Sequence, residues 1–452
     1  KFIAKAKAAA TKGHQKMNKT INVIGAGLAG CEAAWQIAKR GIKVNLYEMK
    51  PKKFSPAHSS KNFCELVCSN SFKADRLESA AGLLKEEMRV FDSLVLACAD
   101  ACRVPAGGAL AVDREKFSSM VTEKIKSNDF INFISQEITE IPKEGINIIT
   151  TGPLTSEDFS ENIKNFCGGC LSFFDAAAPI VTFESIDMNS AFFASRYDKG
   201  DGDDYLNCPL SKEEYEVFYN ELINAERAPL HDVDKVNVYE GCMPVEIMAK
   251  RGFDTLRFGP MKPVGLRDPK TGERPFAVVQ LRKETVSGEL FNMVGFQTNL
   301  KFGEQKRVFS LIPALKNLDI VRYGVMHRNT FIDSPRLLNA DYSMRVNPNL
   351  FFAGQITGVE GYIESASSGL LAGINAAKRL MDEETIELPN TTMLGALSSY
   401  ISDENVKNFQ PMGANFGIIK SLDEKIKDKK LKYTKMSERS LEYLKNLVEE
   451  KI

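Results

Sequence analysis

Apolar residues between Ile21 and Lys50 fall into a short run (Ile21 to Ile24), a helical stretch (Cys31 to Lys39) and a second run (Val44 to Tyr47). Strand, glycine-rich turn, helix and strand are expected there, with Gly41 stopping the helix and Glu48 closing the second strand. Pro51 to Lys61, rich in Pro, Ser and Lys, reads as a loop. Leu77, Leu83, Leu84, Met88, Phe91 and Leu94 then recur at near-helical spacing and predict one long amphipathic helix. Gly107 and Gly108 turn the chain into a short strand, and Asp113 is placed to cap a helix reaching Ile125. Alternation from Ile131 to Thr151 predicts a strand meander whose last run, Ile146 to Pro153, returns to a parallel sheet. Asn162 to Phe174 reads as helical.

The character changes over residues 186–321. A polar stretch precedes a charged helix at about 211–227, and the runs VNVYEG, FAVVQL and LFNMVGFQT are strand-like. Beyond them the opening pattern returns: a strand from Phe351 to Ala353, a turn at Gly354 and a helix from Glu364 to Leu380. Two similar units separated by a stretch of different texture predict one domain split by an insertion.

The first turn carries chemistry. Gly25, Gly27 and Gly30 stand at the spacing G-x-G-x-x-G: the first permits a tight turn, the second lets backbone approach a pyrophosphate, and the third lets helix pack on strand. The helix N-terminus then faces the phosphates, and Glu48, eighteen residues past Gly30, can accept both ribose hydroxyls of an adenosine. This unit alone suits FAD and NAD equally. In the second unit Ser365, Ala366, Ser367, Gly369, Ala372 and Gly373 are small enough to let backbone approach a ligand, and the pair of units favours FAD. The expected fold is α/β, a Rossmann-like FAD-binding domain (17–185 and 322–452) interrupted by a smaller α+β insertion domain (186–321).

Composition narrows this picture. The 452 residues carry equal numbers of acidic and basic side chains, so any nucleic-acid surface has to be local. No run approaches the ~18 consecutive apolar residues of a membrane span, so no membrane partner is expected and the cytoplasm is the default compartment. Residues 1–16 are lysine-rich, lack acids and precede Met17, which looks like a natural start; they read as a leader or frayed extension. Lys420, Lys425, Lys427, Lys429, Lys430, Lys432 and Lys435 form the one basic concentration of the remainder, either an RNA-contacting patch or a solvated face.

Nine cysteines without a secretory signal argue for thiols. The pair Cys167 and Cys170 in CGGC has no second ligand pair at zinc spacing and reads as a glycine bend. Cys31, Cys98 and Cys102 lie on apolar helix faces, as small hydrophobes do. Cys68 in ELVCSNS and Cys242 in YEGCMPVE each sit where a following helix would lend its N-terminal dipole to a thiolate.

GAGLAGCEAAWQIAKRG, ELVCSNSFKAD, VPAGGALAVDR, FDAAAPIV, YEGCMPVE, RFGPMKPVGL, YGVMHRNTFI and GVEGYIESA together closely resemble the bacterial folate- and FAD-dependent tRNA (uracil-5-)-methyltransferase family, TrmFO. The resemblance runs from Met17 to the C-terminus, whereas the more distant GidA/MnmG flavoproteins share the FAD framework without the VCSNS, YEGCMP and GPMKPVGL blocks. It implies methylation of a T-loop uridine of tRNA to ribothymidine, with 5,10-methylenetetrahydrofolate as carbon donor and FAD reduced by NADPH or NADH. Alternatives are the same chemistry on ribosomal RNA, a GidA-like tRNA modification, or a non-catalytic FAD- or RNA-binding protein. Cys68 and Cys242 match the family's two mechanistic cysteines, Cys242 being favoured as nucleophile, and Tyr362 matches an aromatic placed near flavin, folate or base. Flavin contacts are expected from Gly25, Ala26, Gly27, Leu28, Ala29, Gly30, Glu48, Gly354, Gln355, Gly358, Glu360 and Gly361. His327, Arg328 and Lys262 are candidates for folate carboxylates or RNA phosphate. RNA contact is expected from Lys425, Lys427, Lys429 and Lys430, with Arg251, Arg257, Lys262 and Arg267 as a further basic run.

Overall fold

The computed structural model describes residues 20–55, 57–169, 171–198, 203–229, 243–407 and 409–451. Its larger sheet contains β1 (Thr20–Ile24), β2 (Lys43–Glu48), β3 (Ile131–Ser135), β4 (Ile146–Ile149), β5 (Ser343–Met344) and β6 (Asn347–Phe352) in the order β5-β6-β4-β1-β2-β3. All neighbours are parallel except the edge pair β5 and β6. From β1 the chain builds outward through β2 to β3 and then crosses back to β4 on the other side. That reversal opens a crevice at the carboxyl ends of β1 and β4. The expected meander is therefore corrected: its two halves lie on opposite sides of β1, and β4 is buried at every residue, as a central parallel strand is. Its return to the parallel sheet is as expected.

Helix α1 (Leu28–Lys39) follows β1 and begins before Cys31. The expected long helix is two, α2 (Ala80–Val90) and α3 (Leu94–Ala101), and the residues just after Cys68 form a strand, Ser71–Ala74. The break has a tertiary cause. Asp92 takes a left-handed φ of 54°, and the Ser93 hydroxyl accepts from Leu96 N while donating to the buried Glu32 carboxylate of α1 at 2.7 Å. Glu32 also accepts the Val95 N–H at 3.0 Å, so its charge sits on the first turn of α3. Asp113 caps Arg114–Lys126 as expected. The helix placed over Asn162 to Phe174 is instead Glu157–Cys167, stopped by left-handed Gly168, and Leu171–Ala176 is a strand. Cys170 lies outside the described residues.

A second, antiparallel sheet joins Phe192–Phe193, Tyr205–Leu210, Ala277–Lys283, Leu290–Met293, Ile180–Thr182 and Ile320–Arg322 in that order. Ile180–Thr182, ahead of residue 186, is thus a strand of this sheet. Its helix, Lys212–Asn224, starts at a reciprocal cap between Ser211 and Glu214. VNVYEG lies outside the described residues, as does the segment 1–16. The paired strands Leu171–Ala176 and Met326–Phe331 run between the two sheets.

Helix α4 (Tyr362–Leu380) crosses α1 at backbone contact. A Cβ on Gly369 would stand 2.1 Å from the Ala29 carbonyl oxygen, and one on Gly373 2.6 Å from that of Ala33. The last helix, α5 (Lys429–Lys451), lies on α2, burying Met436 and Leu444 and donating from Ser440 to Glu87 at 2.5 Å. Glu87 also accepts the Met393 and Leu394 N–H groups, both at 2.7 Å, yet burial raises its pKa to about 7. Among the described residues, no helix is long and apolar enough to cross a membrane.

Candidate active site

The crevice at the carboxyl ends of the strands is a groove walled by the first glycine turn, Glu48 to Lys50, Gln136 to Ile138, Thr150 to Ser156, and Gly354, Gln355, Tyr362 and Ser365. Gly25 makes the turn at φ +104°, where a Cβ would stand 2.8 Å from the Thr150 carbonyl oxygen. Gly27 caps α1, and a Cβ there would meet no atom within 4 Å. The first turn of α1 has neither a capping side chain nor an acid, so its N–H groups face an open cradle. That suits a pyrophosphate. Glu48 lines the groove and is held by its own backbone neighbours: Ala26 N donates to one carboxylate oxygen at 2.9 Å and Lys50 N to the other at 3.0 Å. Each oxygen keeps lone-pair capacity for a ribose hydroxyl. These residues fit the ADP half of FAD.

The second glycine turn closes over the first. Gly354, at φ +88°, would place a Cβ 3.1 Å from that of Ala29, and its N–H donates to Ser368 at 2.7 Å. Ala26, Leu28, Ala29 and Gln355 line the groove with the residues already named, whereas Gly30 packs behind it on the Gly25 carbonyl. Gly358, Glu360 and Gly361 stand outside the lining. Gly358 packs on Phe409, Glu360 accepts from Gln355 at 2.7 Å, and Gly361 abuts Glu364. The glycines of α4 are corrected too: Gly369 and Gly373 face α1 and not a ligand, and of the small residues named for approach to a ligand only Ser365 reaches the groove.

Lys50, His58, Glu65, Gln136 and Thr150 are lining residues that pattern reading did not single out. Gln136 and Thr150 could have been found, since each follows a parallel strand at its carboxyl end. Burial, then the nearby Lys50 ammonium, lowers the His58 pKa.

Cys68 lies next to lining residue Val67, on a loop that leads into a strand and not into the helix expected to follow it. What meets the loop is the first residue of α4. The Tyr362 hydroxyl oxygen accepts the N–H of Cys68 at 2.8 Å and of Ser69 at 3.1 Å. Burial, then the adjacent Cys68, raises the Tyr362 pKa. Its ring packs 5.9 Å from that of Phe72 and borders the groove, so one side chain ties the glycine cradle to the thiol loop. Cys242 lies outside the described residues, as do the side chains of His327 and Arg328.

The chain is 64% identical over 429 residues to "Methylenetetrahydrofolate--tRNA-(uracil-5-)-methyltransferase TrmFO" of Acetivibrio thermocellus, covering 95% of this chain and 98% of that one. The chain belongs to the TrmFO family. A TrmFO of the same printed name from Bacillus licheniformis is 57% identical over 432 residues, covering 95% and 99% of the two chains. The broader family "Glucose inhibited division protein A" matches residues 20–384, which take in both glycine units of this TrmFO family chain. The crystal structure of Aquifex aeolicus GidA (form II) superposes with a TM-score of 0.67 at 16% identity, covering 96% of this chain and 76% of that one. The shared fold thus extends well beyond recognisable sequence, while TrmFO relatives match along almost the whole chain.

Proposed function

We propose that this chain methylates C5 of a tRNA uridine, with 5,10-methylenetetrahydrofolate as carbon donor, FAD as redox cofactor and NADPH or NADH as reductant. The carrying observation is the 64% identity, nearly end to end, with a curated TrmFO. FAD, when bound, supplies the electrons that turn a methylene into a methyl group. The chain itself would hold the cofactor's ADP half between the open N-terminus of α1 and Glu48. It also keeps Cys68 beside the groove through Tyr362.

Uracil C5 becomes nucleophilic when a thiolate adds at C6, and after carbon transfer a base removes the C5 proton so that the thiol can leave. We assign the addition to Cys242 and the handling of the C5 proton to Cys68. The T-loop is the target that accords with the family, and the cytoplasm is where that substrate is met. The test is mass spectrometry of tRNA and ribosomal RNA incubated with the protein, labelled methylenetetrahydrofolate and NADPH. Label at one tRNA uridine is expected. A flavin-free preparation that cannot be reconstituted, or label only in ribosomal RNA, overturns the reading.

The RNA is proposed to lie on the start of α5. Arg76, Glu78, Lys429, Lys430 and Tyr433 line one shallow surface, and exposed Lys425 and Lys427 precede it. Lys430 is shared with Glu78 at 3.4 Å, while Lys429 stands 5.6 Å over the Tyr433 ring, itself stacked on Phe416. Replacing Lys429 and Lys430 by Glu is expected to weaken tRNA binding and to flatten the log Kd against log salt plot by roughly 2 units. Binding titrations at several salt concentrations check it.

A further inference from the structure

Arg282 ends up beside the thiol loop although it belongs to the other sheet. It lies on Ala277–Lys283 and is only 6% exposed, and its guanidinium donates from Nε to Asn70 Oδ1 and from Nη2 to Ser69 Oγ, both at 2.9 Å. Asn70 answers with a bond from Nδ2 to the Lys283 carbonyl at 3.0 Å. The nearby carboxylate, Glu284, is taken by Arg114, whose Nε and Nη2 donate to it at 2.9 and 3.1 Å while Nη1 donates to the Leu66 carbonyl at 2.6 Å. Arg282 therefore aims a buried charge at the neutral acceptors Ser69 and Asn70, with Tyr205 and the Glu284 carboxylate also close enough to favour that charge. Burying a charge is costly, and a single amide or hydroxyl acceptor would be served by a neutral donor. What the guanidinium adds is a rigid planar fork that fixes two consecutive residues at once. Those residues directly follow Cys68, and Tyr362 holds the same loop through the N–H groups of Cys68 and Ser69.

We propose that Arg282 is a positioning residue for Cys68: reaching from the antiparallel sheet, it fixes Ser69 and Asn70 so that the thiol keeps its place beside the flavin groove only while the two sheets stay docked. This rests on the reading that Cys68 takes part in methyl transfer. Displacements of about 1 Å in a reacting group can cost on the order of 100-fold in rate, so the fork is a strong lever on turnover.

The experiment uses full-length, FAD-loaded protein with Arg282→Met, Arg282→Lys, Ser69→Ala and the Ser69→Ala/Arg282→Met double variant, with kcat taken per bound FAD. Arg282→Met is expected to lower kcat for methyl transfer roughly 10- to 100-fold with KM for tRNA unchanged. Arg282→Lys, which keeps the charge and loses the fork, should not restore it. Ser69→Ala should give a smaller loss that vanishes in the Arg282→Met background, because both act through one loop. Full additivity, a kcat restored by Lys, or an effect confined to FAD content overturns the proposal. Should Arg282→Met fail to fold, Ser69→Ala decides: a kcat equal to the parent's overturns it. Cys68→Ala run in parallel separates the layers. If Cys68→Ala keeps full turnover, the catalytic reading of Cys68 falls; if it is inactive while the Arg282 variants are normal, only the positioning role falls.

Discussion

Cys68→Ala is expected to retain FAD and fold normally while losing methyl transfer by roughly 1000-fold or more, the scale at which removing a reacting group acts. The expectation rests on what holds the loop. Its anchors are backbone N–H groups of residues 68 and 69 on Tyr362, the Leu66 carbonyl on Arg114, and the Ser69 and Asn70 side chains on Arg282. Among the described residues, the thiol's hydrogen bond is a long one, 3.7 Å to the Ala176 carbonyl. Alanine therefore removes the chemistry and leaves the geometry standing. Flavin absorbance and the thermal midpoint should match the parent, and transfer of labelled carbon to tRNA should vanish. Turnover at the parent rate would exclude the thiol from the reaction.

Gly369→Ala is expected to destabilise the flavin domain by about 3 kcal/mol and to release FAD, the upper range for forcing a methyl group into a packed interior. The added carbon would lie 2.1 Å from the Ala29 carbonyl oxygen and 2.6 Å from its Cα, backbone atoms that cannot rotate away. Relief requires α4 to back off from α1, and Ala29 borders the groove just past Gly27. Stability and cofactor binding should fall together. Gly303→Ala is the control: it sits in a helix with no atom within 4 Å of an added Cβ, and there the change should stabilise by about 0.5–1 kcal/mol. Denaturant unfolding and flavin retention on gel filtration read both variants. Normal flavin content in Gly369→Ala would mean that the helix crossing is not what shapes the cradle.

The first glycine unit was legible because its elements are joined by consecutive residues. Local backbone freedom at Gly25 and the apolar run before it leave few other structures, and the same holds for the cap at Asp113. The break after Phe91 was not legible, since the periodicity of α2 and α3 is continuous and the interruption comes from Glu32, on another helix. Small residues in α4 likewise promise a close approach without saying to what. Gly369 and Gly373 proved to serve α1, while the cofactor cradle owes more to Gly27.

The order of residues by itself determined a dinucleotide cradle at Gly25 to Gly30, a second glycine unit at Gly354 and family membership, because each is carried by short motifs read along the chain. Only the tertiary structure decided where Cys68 stands. Its surroundings come from Tyr362, Arg114 and Arg282, residues far apart in sequence that meet because α4 is packed on α1 and the second, antiparallel sheet is docked against the loop. No local pattern encodes those contacts, since each partner's side chain is placed by the burial of its own element and not by its sequence distance from the thiol.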